Sequence, residues 1–182
     1  VYKRQIMNLP CDRVILTPGN HDFWFEKMIT QPQTYLFDKL TILINGEVNI
    51  YSGVDDKYYK IFGTPYCKDF GCWAYMPGNA ILPSVYSTIP KDVDILMCHD
   101  SPQVGYVANI MEHKSETYPN GIPAGNIYLF DEIVEKKPKY VLSGHIHSGD
   151  HTLQEYAGTK YANVSILDES YSIKYKPLTF EL

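Results

Sequence analysis

The sequence has no apolar run long enough to span a bilayer, and its first residues lack the basic, apolar and small-residue succession of a secretory leader. A cytoplasmic protein with no membrane contact is therefore expected. A surplus of basic residues is missing too. With 16 Lys and Arg against 21 Asp and Glu, the formal charge is −5, which argues against a general nucleic-acid binder, since phosphate-backbone affinity comes from clustered cations. Cysteine is scarce, and Cys11, Cys67, Cys72 and Cys98 form neither paired CxxC zinc spacing nor a compact disulfide framework. They are expected to be reduced and mostly buried, with Cys98 in the core as part of the run Ile95-Leu96-Met97-Cys98. No repeat, linker or composition break divides the chain, so residues 1–182 are expected to form one domain. An initiator Met is also lacking, and about a dozen residues precede the first strand signal. The expectation is that this domain is incomplete at its N-terminus.

What is present is ordinary for a packed globular chain: 45% apolar and 20% charged residues, with 16 tyrosines. Val14-Ile15-Leu16 reads as a buried strand stopped by Thr17-Pro18-Gly19, and a short helix is expected over 23–30 before Pro32. Thr41 to Ile44 and Val48 to Tyr51 flank Asn45-Gly46, which predicts a hairpin, with Tyr58 to Phe62 as a third strand. A short helix is expected near 79–88, a strand over Val93 to Cys98, and a long loop from Ser101 to Gly125. Ile127, Phe130, Ile133 and Val134 line one helical face, with Asn126 as cap and Lys136-Lys137-Pro138 as stop. Strand signals then recur at Tyr140 to Leu142, Thr152 to Tyr156, Tyr161 to Leu167 and Ile173 to Phe180. Strand, helix and strand in that order indicate a layered α/β unit.

Three strand ends carry histidines: Pro18-Gly19-Asn20-His21-Asp22, Cys98-His99-Asp100 and Gly144-His145-Ile146-His147. Ligands of α/β sheets gather at the carboxyl ends of strands, and imidazole nitrogen and amide oxygen both suit borderline divalent ions such as Zn, Mn and Fe. Gly19 and Gly144 are expected to provide the sharp turns that aim these side chains, and His145 and His147, alternating residues, are expected to face one side. Taken singly, His99 also suits a hydrogen-bonded structural role and Asn20 a turn. Their coincidence at three strand ends favours a metal site. His113 lies in a polar run and His151 at a strand start, so neither is taken into the site. Trp73, Tyr66 and Tyr106 are candidate walls of a cleft.

This series resembles the third to fifth motifs of the calcineurin-like metallophosphoesterase superfamily, over nearly the whole chain from Val14 onwards. A finer resemblance is to its small branch of metallophosphoesterase-domain-containing proteins, some of which cleave cyclic nucleotides. It rests on Gly63-Thr64-Pro65, Trp73-Ala74, His99-Asp100-Ser101-Pro102 and Gly144-His145-Ile146-His147-Ser148-Gly149. Asp100, Ser101 and Ser148 depart from the Gly, Pro and Glu more usual there. The resemblance implies an α/β fold, a four-layer α/β/β/α sandwich of two mixed sheets, here lacking its N-terminal strands. It implies a hydrolase of phosphate mono- or diesters, a phosphatase or phosphodiesterase, using a dinuclear centre of two divalent metal ions (Mn, Fe or Zn) and metal-bound hydroxide. Asn20, His99 and His145 would ligate one metal and His147 the second, while His21 would serve catalysis by stabilising or protonating the leaving oxygen. The substrate would be a small-molecule or nucleotide phosphate ester.

The superfamily's two earlier motifs, Asp-x-His and Gly-Asp-x-x-Asp, are not in this sequence. Asp12 lacks the required neighbours and Asp55-Asp56 comes too late in order. A companion N-terminal segment or self-association is therefore expected, because a sheet short of strands exposes apolar edges. The competing reading is a non-catalytic binding or scaffold protein that keeps the fold without a complete metal pair. A mononuclear structural site ranks last, since structural zinc favours closed, thiolate-rich ligation.

Overall fold

A computed structural model describes residues 6–28 and 33–182. The chain builds two mixed sheets that stack face to face, with short helices outside them. The first sheet has the order β1-β3-β2, from β1 (Val14–Leu16), β2 (Gln33–Phe37) and β3 (Leu40–Ile44). β1 runs parallel to β3 and β2 antiparallel to it. The second has six strands: β4 (Gly46–Ser52), β5 (Lys57–Thr64), β6 (Ile95–Cys98), β9 (Tyr140–Ser143), β10 (Gln154–Tyr156) and β11 (Thr159–Asn163). Their order is β10-β11-β9-β6-β5-β4, parallel through β5, β6, β9 and β11 and antiparallel at both edges. A small ribbon, β7 (Asn109–Ile110) with β8 (Ile122–Pro123), stiffens the long loop after β6. Helices α1 (Phe23–Met28), α2 (Leu82–Tyr86) and α3 (Ile127–Lys136) complete the structure.

The layering follows from side-chain alternation along each strand. In β6, Leu96 and Cys98 face α2 and α3, whose Leu82, Tyr86, Leu129 and Ile133 complete that core. Ile95 and Met97 face the opposite way, toward Leu43 and Ile15 of the small sheet. All five residues of β3 are buried, as a strand covered on both faces must be. Its Leu40, Ile42 and Ile44 turn outward onto Phe25 of α1, Ala74 and Tyr75. The sequence of layers is thus helix, small sheet, large sheet, helices.

Several local expectations change in the structure. Asn45-Gly46 is no hairpin turn. Asn45 does take a left-handed φ of 43°, but the bend passes the chain from one sheet to the other, so β3 pairs with β1 and β2 while β4 pairs with β5. The hairpin is β4–β5, closed at Asp56 with φ 55°. α1 covers 23–28, the rest of the helix expected over 23–30 lying outside the described residues. The tail forms β10 and β11, whereas 164–182 is irregular apart from one bridge between Leu167 and Ile173. Only Cys67 and Cys98 are buried thiols; Cys11 and Cys72 are exposed, and all four are free.

The helix read from Asn126 forms as its signals require. The Asn126 side chain accepts the Leu129 N–H at 3.1 Å, and Lys137 ends the helix at φ 55°. Among the described residues no helix is long and apolar enough to cross a membrane.

Candidate active site

The parallel strands all deliver their carboxyl ends to one side, and β1 adds its end from the other sheet. Asn20 is buried in the loop after β1, and its Oδ1 lies 2.7 Å from His99 Nε2 in the loop after β6. The His145 ring, after β9, tilts against His99 with centroids 4.8 Å apart, and Phe70 flanks His145 at 5.1 Å. Burial above all, and then the neighbouring His145, His21 and His147, push the His99 imidazole down to about 3. Burial likewise lowers His145, with the carboxylate of Asp100 partly opposing it. Both rings are therefore neutral near pH 7, the form that ligates metals.

His147 and His21 stand at the rim. His147 Nδ1 is 2.9 Å from the Asp168 carbonyl oxygen, an acceptor, so Nδ1 carries the proton and Nε2 is left as a lone-pair donor. His21 is exposed and packs on Trp73 at 4.7 Å. All five residues expected at the site, Asn20, His21, His99, His145 and His147, are brought to one end of the sheets. Trp73 lies at that end, against His21 and Phe23. Tyr66 does not: its ring packs on Tyr75 in the core. Tyr106 hydrogen-bonds Asn120 on the long loop, and exposed His113 belongs to the same loop. His151 stacks on Tyr175 at 3.6 Å.

The glycines act differently from the reading of them as turn formers. Gly19 has no left-handed backbone. Its lack of a side chain matters because the His99 ring occupies the space a Cβ would take. In the third loop the left-handed residue is His145 itself, at φ 66°, not Gly144. A non-glycine residue held there is a strained conformation of the kind that clusters at functional sites.

Residues that sequence reasoning missed hold these loops in place. Asp100 is 1% exposed, and its carboxylate accepts the Lys68 N–H at 3.0 Å, Asn126 Nδ2 at 2.8 Å and the Ser101 N–H at 2.9 Å. Three donors offset the cost of burying that charge. Lys68 Nζ in turn donates to the Ala124 and Gly125 carbonyls, both at 2.7 Å. Ser101 Oγ donates to the Gly144 carbonyl at 2.6 Å and Asn163 Nδ2 to that of Ile146 at 2.6 Å, tying the loops after β6, β9 and β11 together. The signals were position alone: Asp100 directly follows His99, and Asn163 ends the strand parallel to β9.

A model of the family described as calcineurin-like phosphoesterase matches residues 1–149. The chain belongs to that family. The chain is similar to the UPF0046 protein T07D4.2 of Caenorhabditis elegans, 29% identical over 126 residues, which are 67% of this chain and 29% of that protein. It is also similar to the lariat debranching enzyme of Schizosaccharomyces pombe, 30% identical over 123 residues, 58% of this chain and 24% of the enzyme. The chain thus spans less than a third of the length of these relatives. Calcineurin-like phosphoesterases generally use two divalent metals. The donor set here fits part of such a centre: neutral imidazoles and one amide oxygen converge. Among the described residues, however, no three His, Cys, Asp or Glu side chains form a metal-holding group. Asp12 is exposed ahead of β1, and Asp55 and Asp56 bond Tyr59 and Tyr51 in the β4–β5 hairpin.

Proposed function

We propose that this phosphoesterase chain hydrolyses phosphate mono- or diesters of a small molecule or nucleotide at the strand ends bearing Asn20, His99, His145 and His147, with His21 at the substrate. The observation that supports this most directly is the 2.7 Å approach of Asn20 Oδ1 to His99 Nε2, between loops that come from different sheets. Asn20, His99 and His145 would hold one divalent ion, with Mn, Fe and Zn all compatible with nitrogen and oxygen donors, and His147 would join the second. A cation held there lowers the pKa of bound water and polarises the phosphoryl oxygen. The chain's own part is to keep His99 and His145 neutral by burial, to fix His147 with Nε2 free, and to place His21 where it can donate a proton to the departing ester oxygen. Trp73, packed on His21 at 4.7 Å, orients that ring. A cytoplasmic site of action goes with this reading.

The second reading, a binding or scaffold protein with an incomplete metal centre, is favoured by one observation: among the described residues no three His, Cys, Asp or Glu side chains form a metal-holding group. The partner reading follows from the same gap. A companion N-terminal segment would bring the missing carboxylates, and self-association is the other outcome to look for. Metal content and turnover of bis(p-nitrophenyl) phosphate separate these readings. Two ions per chain with turnover, both lost in His99→Ala and His145→Ala while the far-ultraviolet spectrum stays native, supports hydrolysis. One ion or none, with no turnover in the intact protein, supports the scaffold.

A further inference from the structure

The roles given to the five site residues use only the Asp168 carbonyl from the segment after β11, yet more of that segment enters the site. From Asn163 the chain runs to a tight turn at 168–172, closed by the bridge between Leu167 and Ile173. Asp168 organises it: Oδ1 accepts the Ser170 N–H at 2.9 Å, Ser170 Oγ–H at 2.7 Å and the Ser172 N–H at 3.0 Å. The same turn is bonded twice to the loop after β9. His147 Nδ1–H donates to the Asp168 carbonyl at 2.9 Å, and Glu169 Oε1 accepts the Ser148 N–H at 3.0 Å. Tyr171 is at the tip with φ 61°, a conformation seldom taken by a bulky residue. Its ring stands edge-on to His147 at 5.4 Å and to His21 at 6.2 Å, and its hydroxyl is 3.5 Å from His21 Nε2. Tyr171 is 62% exposed and joins none of the three apolar clusters, so its hydroxyl is open to a ligand arriving from solvent.

We propose that the turn 168–172 is a site-forming element and that the Tyr171 hydroxyl binds the phosphoryl group of the substrate beside His21, making Tyr171 a specificity-determining residue. This rests on the phosphoester-hydrolase reading. Two imidazoles fix the ring edge-on, so the hydroxyl's direction is set before substrate arrives, and it is a neutral donor suited to an anionic oxygen. The sequence offers no such role, because nothing in 164–182 marks a tyrosine out among sixteen.

The test uses the intact protein with Mn²⁺, bis(p-nitrophenyl) phosphate as substrate and inorganic phosphate as inhibitor. Tyr171→Phe keeps the edge-on ring and removes the hydroxyl. About a tenfold rise in both KM and the phosphate inhibition constant, with kcat little changed, is expected for loss of one hydrogen bond to a charged group. Asp168→Ala, which frees the turn, should give the same direction of change. Unchanged KM and phosphate inhibition in Tyr171→Phe, or full rescue by Phe of what Tyr171→Ala loses, would overturn the inference and leave the parent reading intact. Wild-type protein without turnover would overturn both.

Discussion

The two faces of the large sheet are covered unequally. On the outer face, Phe62, Leu96, Cys98, Val141 and Tyr161 lie sealed beneath α2 and α3. On the inner face Ile61 and Ile95 are buried against Leu43 of the small sheet, whereas Val48, Ile50, Met97, Tyr140 and Leu142 stay half-exposed under a three-stranded partner. Small-sheet strand β1 is itself half-exposed, and β3 is its sole neighbour among the described residues. The outer face therefore supplies the stability and positions His99 and His145. The inner face, with Asn20 and His21 arriving from its far side, is where the structure has apolar surface to spare.

The largest effect is expected where that contrast falls within one strand. Leu96 and Met97 are neighbours in β6 pointing to opposite faces, the first 0% exposed and the second half-buried. Leu96→Ala should cost about 2–5 kcal/mol, as for other sealed core positions, and Met97→Ala about 1 kcal/mol because little cavity forms where solvent already reaches. Urea midpoints at constant m measure both. Equal costs would break the contrast.

Asn126→Ala probes how the outer face is stitched to the site. Asn126 caps α3, donates to the Tyr86 hydroxyl at 3.0 Å and holds the Asp100 carboxylate. Removing it should cost about 2–3 kcal/mol, one cap plus buried partners left short of a donor. If the cost equals that of a cap alone, about 1 kcal/mol, Asp100 is held adequately without it. Gly63→Ala acts on the inner side, at its tightest point. A Cβ there would meet Leu43 of the small sheet and Thr17 just after β1, and the sheets would part at a cost of about 1–3 kcal/mol. A neutral result would show the inner junction loose throughout.

How much could be read in advance divides along the same line. β6, β9 and α3 were legible because each is a continuous apolar run or a clear 3.6-residue pattern with its caps, and these make the outer face. The Asn45-Gly46 pair misled because left-handed φ at Asn45 is compatible with a hairpin and with a change of sheet, and only partner strands distant in sequence decide between them. At the site, Asn20, His21, His99, His145 and His147 stood out as metal-type side chains at strand ends. Asp100, Lys68 and Tyr171 did not, because their roles depend on what they touch in space: Asn126, the Ala124 and Gly125 carbonyls, and the two rim histidines. Gly19 is intermediate. Its presence was visible, but the cause, the His99 ring seated where a Cβ would be, is tertiary.

The smallest effect concerns the thiols and needs no variant. Cys98 belongs to the sealed outer cluster and burial raises its thiol well above the ordinary value; burial also pushes Cys67 up to about 12. Since the thiolate is the reactive form, both should resist alkylation in the native protein. Exposed Cys11 and Cys72 should react. Iodoacetamide at pH 8 followed by intact mass should therefore add two labels to the native chain and four after denaturation. A third label appearing in the native state at the rate of the first two would mean that the outer face opens as readily as the inner one, and the contrast between the faces would then be one of average coverage with no difference in local stability.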